Sequence, residues 1–158
     1  MNIREIKPDD NSSIKTIIQQ SLKTHDLAIP GSAYFDPHLG ELYEFYHQLE
    51  YAAYWIAEED GEVLGGIGIA PFNLESGICE LQKLYLKPAG QGRGISKQLM
   101  ETALSFAAMH YRQCYLETMF KLRAACHLYE QYGFKLLDQP LPGSEHSAMD
   151  AWYIKSLH

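Results

Sequence analysis

Apolar residues recur along this chain in two periods, and the places where the period changes mark its elements. Ile3 and Ile6 alternate with charged residues over Asn2 to Lys7. Pro8-Asp9-Asp10-Asn11 then supplies turn and helix-capping chemistry before Ile14, Ile17, Ile18 and Leu22. The pattern predicts a strand followed by an amphipathic helix. Pro30, Gly31, Pro37 and Gly40 break the stretch from His25 to Gly40 into a loop, after which Leu42, Phe45, Tyr46 and Leu49 return at helical spacing. Tyr54 to Ala57 and Val63 to Ala70 flank Glu58-Glu59-Asp60-Gly61-Glu62, and Asp-Gly between apolar runs predicts a β-hairpin. Ile78 to Leu86 reads as a further strand. Beyond Gly94, Ile95, Leu99, Met100, Ala103, Leu104 and Ala107 follow a period near 3.6 and predict a helix lying on a sheet. Tyr115 to Met119 is the next strand. Leu122, Ala125, Cys126, Tyr129 and Tyr132 share one helical face, with Gly133 at its C-terminal cap. Phe134 to Leu137 and Ala151 to Ile154 close the chain as strands. No repeat, low-complexity tract or linker interrupts it, so one domain over residues 1–158 is expected.

Composition narrows the classes of function. The 158 residues, 46% of them hydrophobic, suffice for one substantial core and would leave two marginal ones. A formal charge of −7 argues against nucleic acid as the main partner, because phosphate binding draws on clustered Lys and Arg, and it favours a cationic or neutral small substrate. Cys79, Cys114 and Cys126 are odd in number and lack C-x-x-C spacing, so neither a disulfide framework nor a zinc or other metal site is expected. The opening MNIREIKPDD lacks the apolar core of a signal peptide, and no apolar run approaches the ~20 residues needed to span a membrane. The expectation is a soluble, cytoplasmic protein without a membrane partner.

The chemistry concentrates at the junction Leu84-Tyr85-Leu86-Lys87-Pro88-Ala89-Gly90-Gln91-Gly92-Arg93-Gly94-Ile95-Ser96, where a strand passes into a helix. The first amides of a helix lack intrahelical acceptors and carry the positive end of its dipole, so such a turn can hold an anion. Gly92 and Gly94 keep side chains clear of it. Glycine-rich strand-to-helix turns also occur without any ligand, and the segment alone leaves both readings open. A P-loop is excluded, since Gly92-Arg93-Gly94-Ile95-Ser96 lacks the lysine and adjacent hydroxyl of that motif. A Rossmann fingerprint fits poorly, because the turn reads G-x-G-x-G and follows several earlier elements.

Two motifs together resemble the GNAT family of N-acetyltransferases. Gln91, Gly94 and Ser96 match the family's pyrophosphate motif Q/R-x-x-G-x-G/A, with a small serine in place of the final Gly or Ala. Ala125-Cys126-His127-Leu128-Tyr129-Glu130-Gln131-Tyr132-Gly133-Phe134 is similar to the family's A-x-x-L-Y-E-x-x-G-F helix and following strand. The likeness runs from Ile78 to Phe134, and the flanking hairpin and the strand at Asp150-Ala151-Trp152-Tyr153 agree with it more loosely. One departure is Leu122, which stands where the family often has an Asn that hydrogen-bonds the cofactor arm.

The resemblance implies an α/β fold with a mixed, mostly antiparallel sheet flanked by helices. In it the strand ending at Leu86 and the strand containing Leu116 splay apart around acetyl-CoA. It implies that the pantetheine arm pairs with the backbone near Leu84, Tyr85 and Leu86, and that Gln91, Gly92, Arg93, Gly94, Ile95 and Ser96 hold the pyrophosphate. The implied reaction is direct attack of a neutral amine on the thioester, with a base to take a proton, an acid to protonate the thiolate and no cysteine nucleophile. Tyr129 is the candidate acid, Glu80 the candidate base, and Glu117 an alternative base or ligand of the acceptor ammonium. Each also has a plain structural reading, as a core aromatic or a paired carboxylate. His127 and His146 have no defined partner in the sequence and are assigned no role. Aromatic and acidic residues between Thr24 and Tyr54, among them Tyr34, Phe35, Glu41, Tyr43, Glu44, Phe45 and Tyr46, are candidates for the acceptor side. The likeness also allows a homodimer. A catalytically silent acyl-CoA-binding or sensor module and a scaffold that uses no CoA are the competing classes.

Overall fold

The computed structural model describes residues 1–158. Its strands are β1 (Asn2–Glu5), β2 (Ala53–Glu59), β3 (Glu62–Asn73), β4 (Ile78–Leu86), β5 (Gln113–Thr118), β6 (Lys135–Leu137) and β7 (Ala151–Ser156). Its helices are α1 (Asn11–Thr24), α2 (Leu42–His47), α3 (Ile95–His110) and α4 (Arg123–Gln131). The elements fall where hydrophobic periodicity puts them, with ends that differ by up to three residues. The loop between α1 and α2 additionally holds a 3-10 turn at Ala33–Phe35.

The seven strands form one sheet in the order β1-β2-β3-β4-β5-β7-β6. Every pairing is antiparallel except β4 with β5, so the fold is the mixed, mostly antiparallel class expected. Successive side chains of a strand point to opposite faces, and β2 shows both faces covered. Ala53, Trp55 and Ala57 join the core beneath α3 and α4, while Tyr54 and Ile56 join the core beneath α1 and α2. Three layers result, helices on a sheet on helices, which is the arrangement that buries both apolar faces of a sheet.

Two irregularities of β4 position the site. First, β4 and β5 pair only through Ile78–Glu80 and Gln113–Tyr115, and beyond Glu80 they part. Second, the β3–β4 register slips between Gly66 opposite Tyr85 and Gly68 opposite Gln82, so Ile67 alone faces both Lys83 and Leu84. This is a β-bulge, which bends the strand and re-aims its side chains. Lys83 occupies it at φ +50°, a left-handed conformation unusual for a residue with a side chain. The Tyr54 hydroxyl donates to the Lys83 carbonyl at 2.8 Å and secures the bulge from the α1/α2 side. Gly68 is required beside it, because a Cβ there would lie 2.6 Å from the Tyr46 hydroxyl.

Candidate active site

The gap opened by the parting of β4 and β5 becomes a cleft of about 610 Å³. Its floor is Leu84, Tyr85 and Leu86, its far wall is Ala124, Ala125, Leu128 and Tyr129 of α4, and Gln91, Gly92, Gly94, Ile95 and Ser96 form one end. At that end the amides of Gly92, Arg93, Gly94, Ile95, Ser96 and Lys97 donate no hydrogen bond within the protein. They cluster at the N-terminus of α3, the longest helix, where dipole and free N–H groups together favour an anion. Gly92 and Gly94 stand at φ +74° and +76°, conformations that glycine adopts without strain.

Arg93 belongs to the turn through its backbone. Its guanidinium turns out of the cleft onto Glu59, at 2.5 Å, so only its backbone amide belongs to the turn. Three cations invisible to the motif reading line the cleft instead, Lys97, Lys121 and Arg123, and none of them forms an ion pair. Leu122 also faces the cleft and packs against the α1 core, so an apolar contact replaces the amide of the family motif.

A second cavity of about 490 Å³ opens on the other side of β4. Asp36, Glu80, Gln82, Lys83, Glu145 and His146 supply its polar wall, and Leu42, Phe45, Leu49 and Phe72 its apolar one. Of the aromatic and acidic residues singled out between Thr24 and Tyr54, Phe45 lines this cavity, and Tyr46 supports it by donating to Gln82 Oε1 at 2.6 Å. The others lie elsewhere: Phe35 is exposed, Tyr34 sits under the Lys23 ammonium, Tyr43 stacks on His47, and Glu44 accepts from Asn11.

A chamber of about 100 Å³ lies between the two spaces, shares lining residues with each, and is lined by Glu80, Glu117, Tyr129 and His146. The three sequence candidates for catalysis, drawn from β4, β5 and α4, therefore meet. Burial pushes the Glu80 carboxyl up to about 7, aided by the negative charge of Glu117 and opposed by the hydrogen bond from Gln82 at 2.7 Å. Burial also acts to raise Glu117, but the His146 imidazole and the Ser144 and Tyr115 hydroxyls outweigh it and hold this carboxyl below its ordinary range. One Glu117 oxygen accepts from Tyr115 at 2.8 Å; the other, Oε1, is buried without a hydrogen-bond partner. Burial pushes the Tyr129 phenol well up, so it stays protonated near neutral pH. Its hydroxyl bonds to no protein group and is free to donate into the chamber.

His146 is the residue that sequence reasoning passed over. Its Nε2 lies 3.0 and 3.1 Å from the two Asp36 oxygens, and its Nδ1 lies 3.6 Å from Glu117 Oε1. The hydrogen bonds to Asp36, with the Glu117 carboxylate close by, push its pKa up to about 9, so at neutral pH both ring nitrogens carry protons. The ligating atoms of Glu80, Glu117 and His146 fall within 4.8 Å of one another, a spacing that suits a metal ion, but the imidazolium has no lone pair to offer one. No signal in the sequence pairs residues 36 and 146. His127, in contrast, is an exposed residue on the rim of the cleft, where its ring lies 3.2 Å from the Gln131 amide.

The model of the acetyltransferase (GNAT) domain matches residues 50–136, more than half of the chain and all of the β4–α3–β5–α4 unit that builds the cleft. The chain belongs to the GNAT acetyltransferase family. It is 40% identical over 158 residues to the uncharacterized N-acetyltransferase YjgM of Escherichia coli K12, covering 98% of this chain and 94% of that protein. N-acetylaspartate synthetase of Xenopus tropicalis is 30% identical over 122 residues, 74% of this chain and 45% of that protein. A GNAT-family acetyltransferase structure from Staphylococcus aureus superposes with a TM-score of 0.88 at 20% identity, covering 99% of both chains. A phosphinothricin acetyltransferase structure from Sinorhizobium meliloti, in complex with acetyl-CoA, gives 0.75 at 19% identity, over 98% of this chain and 87% of that one. This GNAT protein is thus an acetyl-CoA-dependent N-acetyltransferase, and acetyl-CoA is its acyl donor. No helix in it is long and apolar enough to cross a membrane.

Proposed function

We propose that the protein transfers the acetyl group of acetyl-CoA directly to a primary amine held in the second cavity, within a ternary complex. The observation that carries this reading is the chamber, because it lies between a cleft with an anion-binding end and an acidic cavity and has Glu80, Glu117 and Tyr129 in its wall. The pyrophosphate is assigned to the free amides of Gly92 to Lys97 and to Gln91, and the pantetheine arm to the backbone edge of Leu84 to Leu86 that β5 leaves unpaired.

The acceptor enters as an ammonium. The unpartnered oxygen of Glu117 gives it an acceptor, and Glu80, which titrates near neutrality, takes its proton. The neutral nitrogen attacks the thioester carbon and forms the N–C bond. Collapse breaks the C–S bond, and the sulfur leaves with the proton of the Tyr129 phenol, which solvent later restores. The nitrogen loses two protons in all, one to Glu80 before attack and one to solvent as the amide forms; one is matched by the proton that sulfur gains, and the other is released from Glu80 to solvent.

Acetyl-CoA should release free thiol only when an amine is added. The panel should cover aspartate, which the name of the Xenopus relative suggests, together with polyamines, aminoglycosides, simple alkylamines and peptide N-termini. Mass spectrometry should find one acetyl group on the acceptor nitrogen. Thiol release independent of any amine, or none with tightly bound acetyl-CoA, would overturn the reading, the latter in favour of a silent binding module.

A further inference from the structure

The chamber holds a charge problem. Glu80 and Glu117 line it from β4 and β5, Asp36 of the α1–α2 loop stands in the adjoining second cavity, and two cations answer the three, Lys83 and His146. Lys83 reaches only Asp36, at 2.8 Å. Tyr115 and Gln82 donate neutral hydrogen bonds to Glu117 and Glu80 and bring no charge. His146 is therefore the cation that reaches both carboxylates proposed to face the thioester, 3.6 Å from Glu117 Oε1 and within 4.8 Å of Glu80, while Lys83 acts on Glu80 only through space.

The ring is held from outside the chamber. Its Nε2 is anchored on both Asp36 oxygens, so Nδ1 is aimed inward. The β6–β7 loop that carries it is pinned independently of the imidazole: the Ala148 amide donates to the Gly31 carbonyl at 3.2 Å. The same loop passes so close to Gly31 that a Cβ there would sit 2.6 Å from Ser147 Oγ. Replacing the imidazole should leave the loop in place.

We propose that His146, oriented by Asp36, is a positioning residue for acetyl transfer: its positive charge lets Glu80 and Glu117 ionise side by side, so that one can bind the ammonium while the other takes its proton. The inference rests on the proposed assignment of Glu80 as base. Without the charge, two carboxylates in one buried chamber would share a proton, as like charges in close contact do, and Glu80 would stay neutral to higher pH. The His146 pKa of about 9 keeps the charge present throughout the range in which Glu80 titrates.

The test compares the parent with His146→Gln, which keeps a donor toward Asp36 but carries no charge. In protein labelled with carbon-13 at glutamate carboxyls, the Glu80 resonance, identified through Glu80→Gln, should titrate near pH 7 in the parent and about one pH unit higher in His146→Gln. With the acceptor that the amine panel returns, the acidic limb of kcat/KM should move upward by the same amount. That corresponds to a roughly five-fold loss at pH 7 which largely disappears at high pH, with acetyl-CoA affinity unchanged. The parent imidazole offers a check that needs no variant to fold: one histidine should titrate near pH 9. An unmoved Glu80 midpoint, a loss equal at every pH, or a His146 that titrates near 6.5 would overturn the role of His146. An acidic limb that persists in Glu80→Gln would instead overturn the assignment of the base.

Discussion

The two halves of the candidate site are made in opposite ways. The donor cleft draws its anion-binding end from one continuous stretch, Gln91 to Lys97, and offers mainly backbone: free amides, a strand edge and glycines that keep side chains away. The second cavity and the chamber beside it take Asp36, Glu80, Glu117 and His146 from four separate parts of the chain and offer side chains whose charges depend on one another. Backbone recognition is indifferent to pH and hard to alter except through conformation. Side-chain recognition is tunable by single substitutions, which suits the half of the site that distinguishes substrates.

The largest effect should come where the halves meet. Tyr129→Phe keeps the ring packed against Phe134 and Tyr153 and removes only the proton, so turnover should fall by ~100-fold to ~10,000-fold while acetyl-CoA affinity stays within about two-fold. Equal turnover at saturating substrates would make the residue part of the core alone.

The carboxylates should separate next. Glu80→Gln should cost roughly 100-fold at neutral pH and recover part of that at higher pH, where more of the amine is already neutral. Glu117→Gln should act mainly on the acceptor KM. A pH–rate comparison decides between them, and Glu117→Gln flattening the profile while Glu80→Gln follows the parent would reverse the two assignments.

The donor half should respond to conformation instead. Gly94→Val asks a β-branched residue to adopt φ +76°, although no neighbouring atom lies within 4 Å of the added Cβ. Acetyl-CoA binding measured by calorimetry should weaken by about ten-fold or more through a displaced turn, with acceptor selectivity unchanged. Unaltered affinity would take the turn out of the site.

The smallest effect is on stability, and its sign follows from which state binds protons more tightly. The folded-state pKa of His146 is raised from 6.5 to about 9, so its contribution is complete below about 6.5 and is lost as pH climbs through about 9. Glu80 is also raised, from 4.5 to about 7, and the stability of its neutral form is lost within that lower window. Between pH 7 and 9.5 the parent melting temperature should therefore decline more steeply than that of His146→Gln. Parallel curves would show that the Asp36–His146 contact adds nothing to folding.

Much of this is legible in the residues. Periodicity located the four helices and seven strands, because burying one face of each element leaves a local signature. The turn Gln91 to Ser96 is legible for the same reason: a helix N-terminus and its glycines are adjacent in sequence, and their free amides need no distant partner. Nothing local reveals that Glu59, across the hairpin, captures the Arg93 guanidinium and leaves only the backbone of that residue to the turn. Lys121 and Arg123 read as ordinary surface charges until the divergence of β4 and β5 turns α4 toward the cleft.

Glu80 and Glu117 were visible as carboxylates interrupting apolar strands, but their unequal ionisation was not, since it comes from burial and from neighbours on other elements. His146 had no readable partner, because Asp36 lies 110 residues away and meets it only after both loops close over the sheet. By itself the sequence determined the elements, the family and the glycine-rich turn at the start of α3, all of which rest on interactions between near neighbours along the chain. The tertiary structure alone decided the bulge at Lys83, the meeting of Glu80, Glu117, Tyr129 and His146, and the charge each one carries. Those depend on which distant groups share a buried space, where an electrostatic interaction is screened least and a single neighbour sets a protonation state.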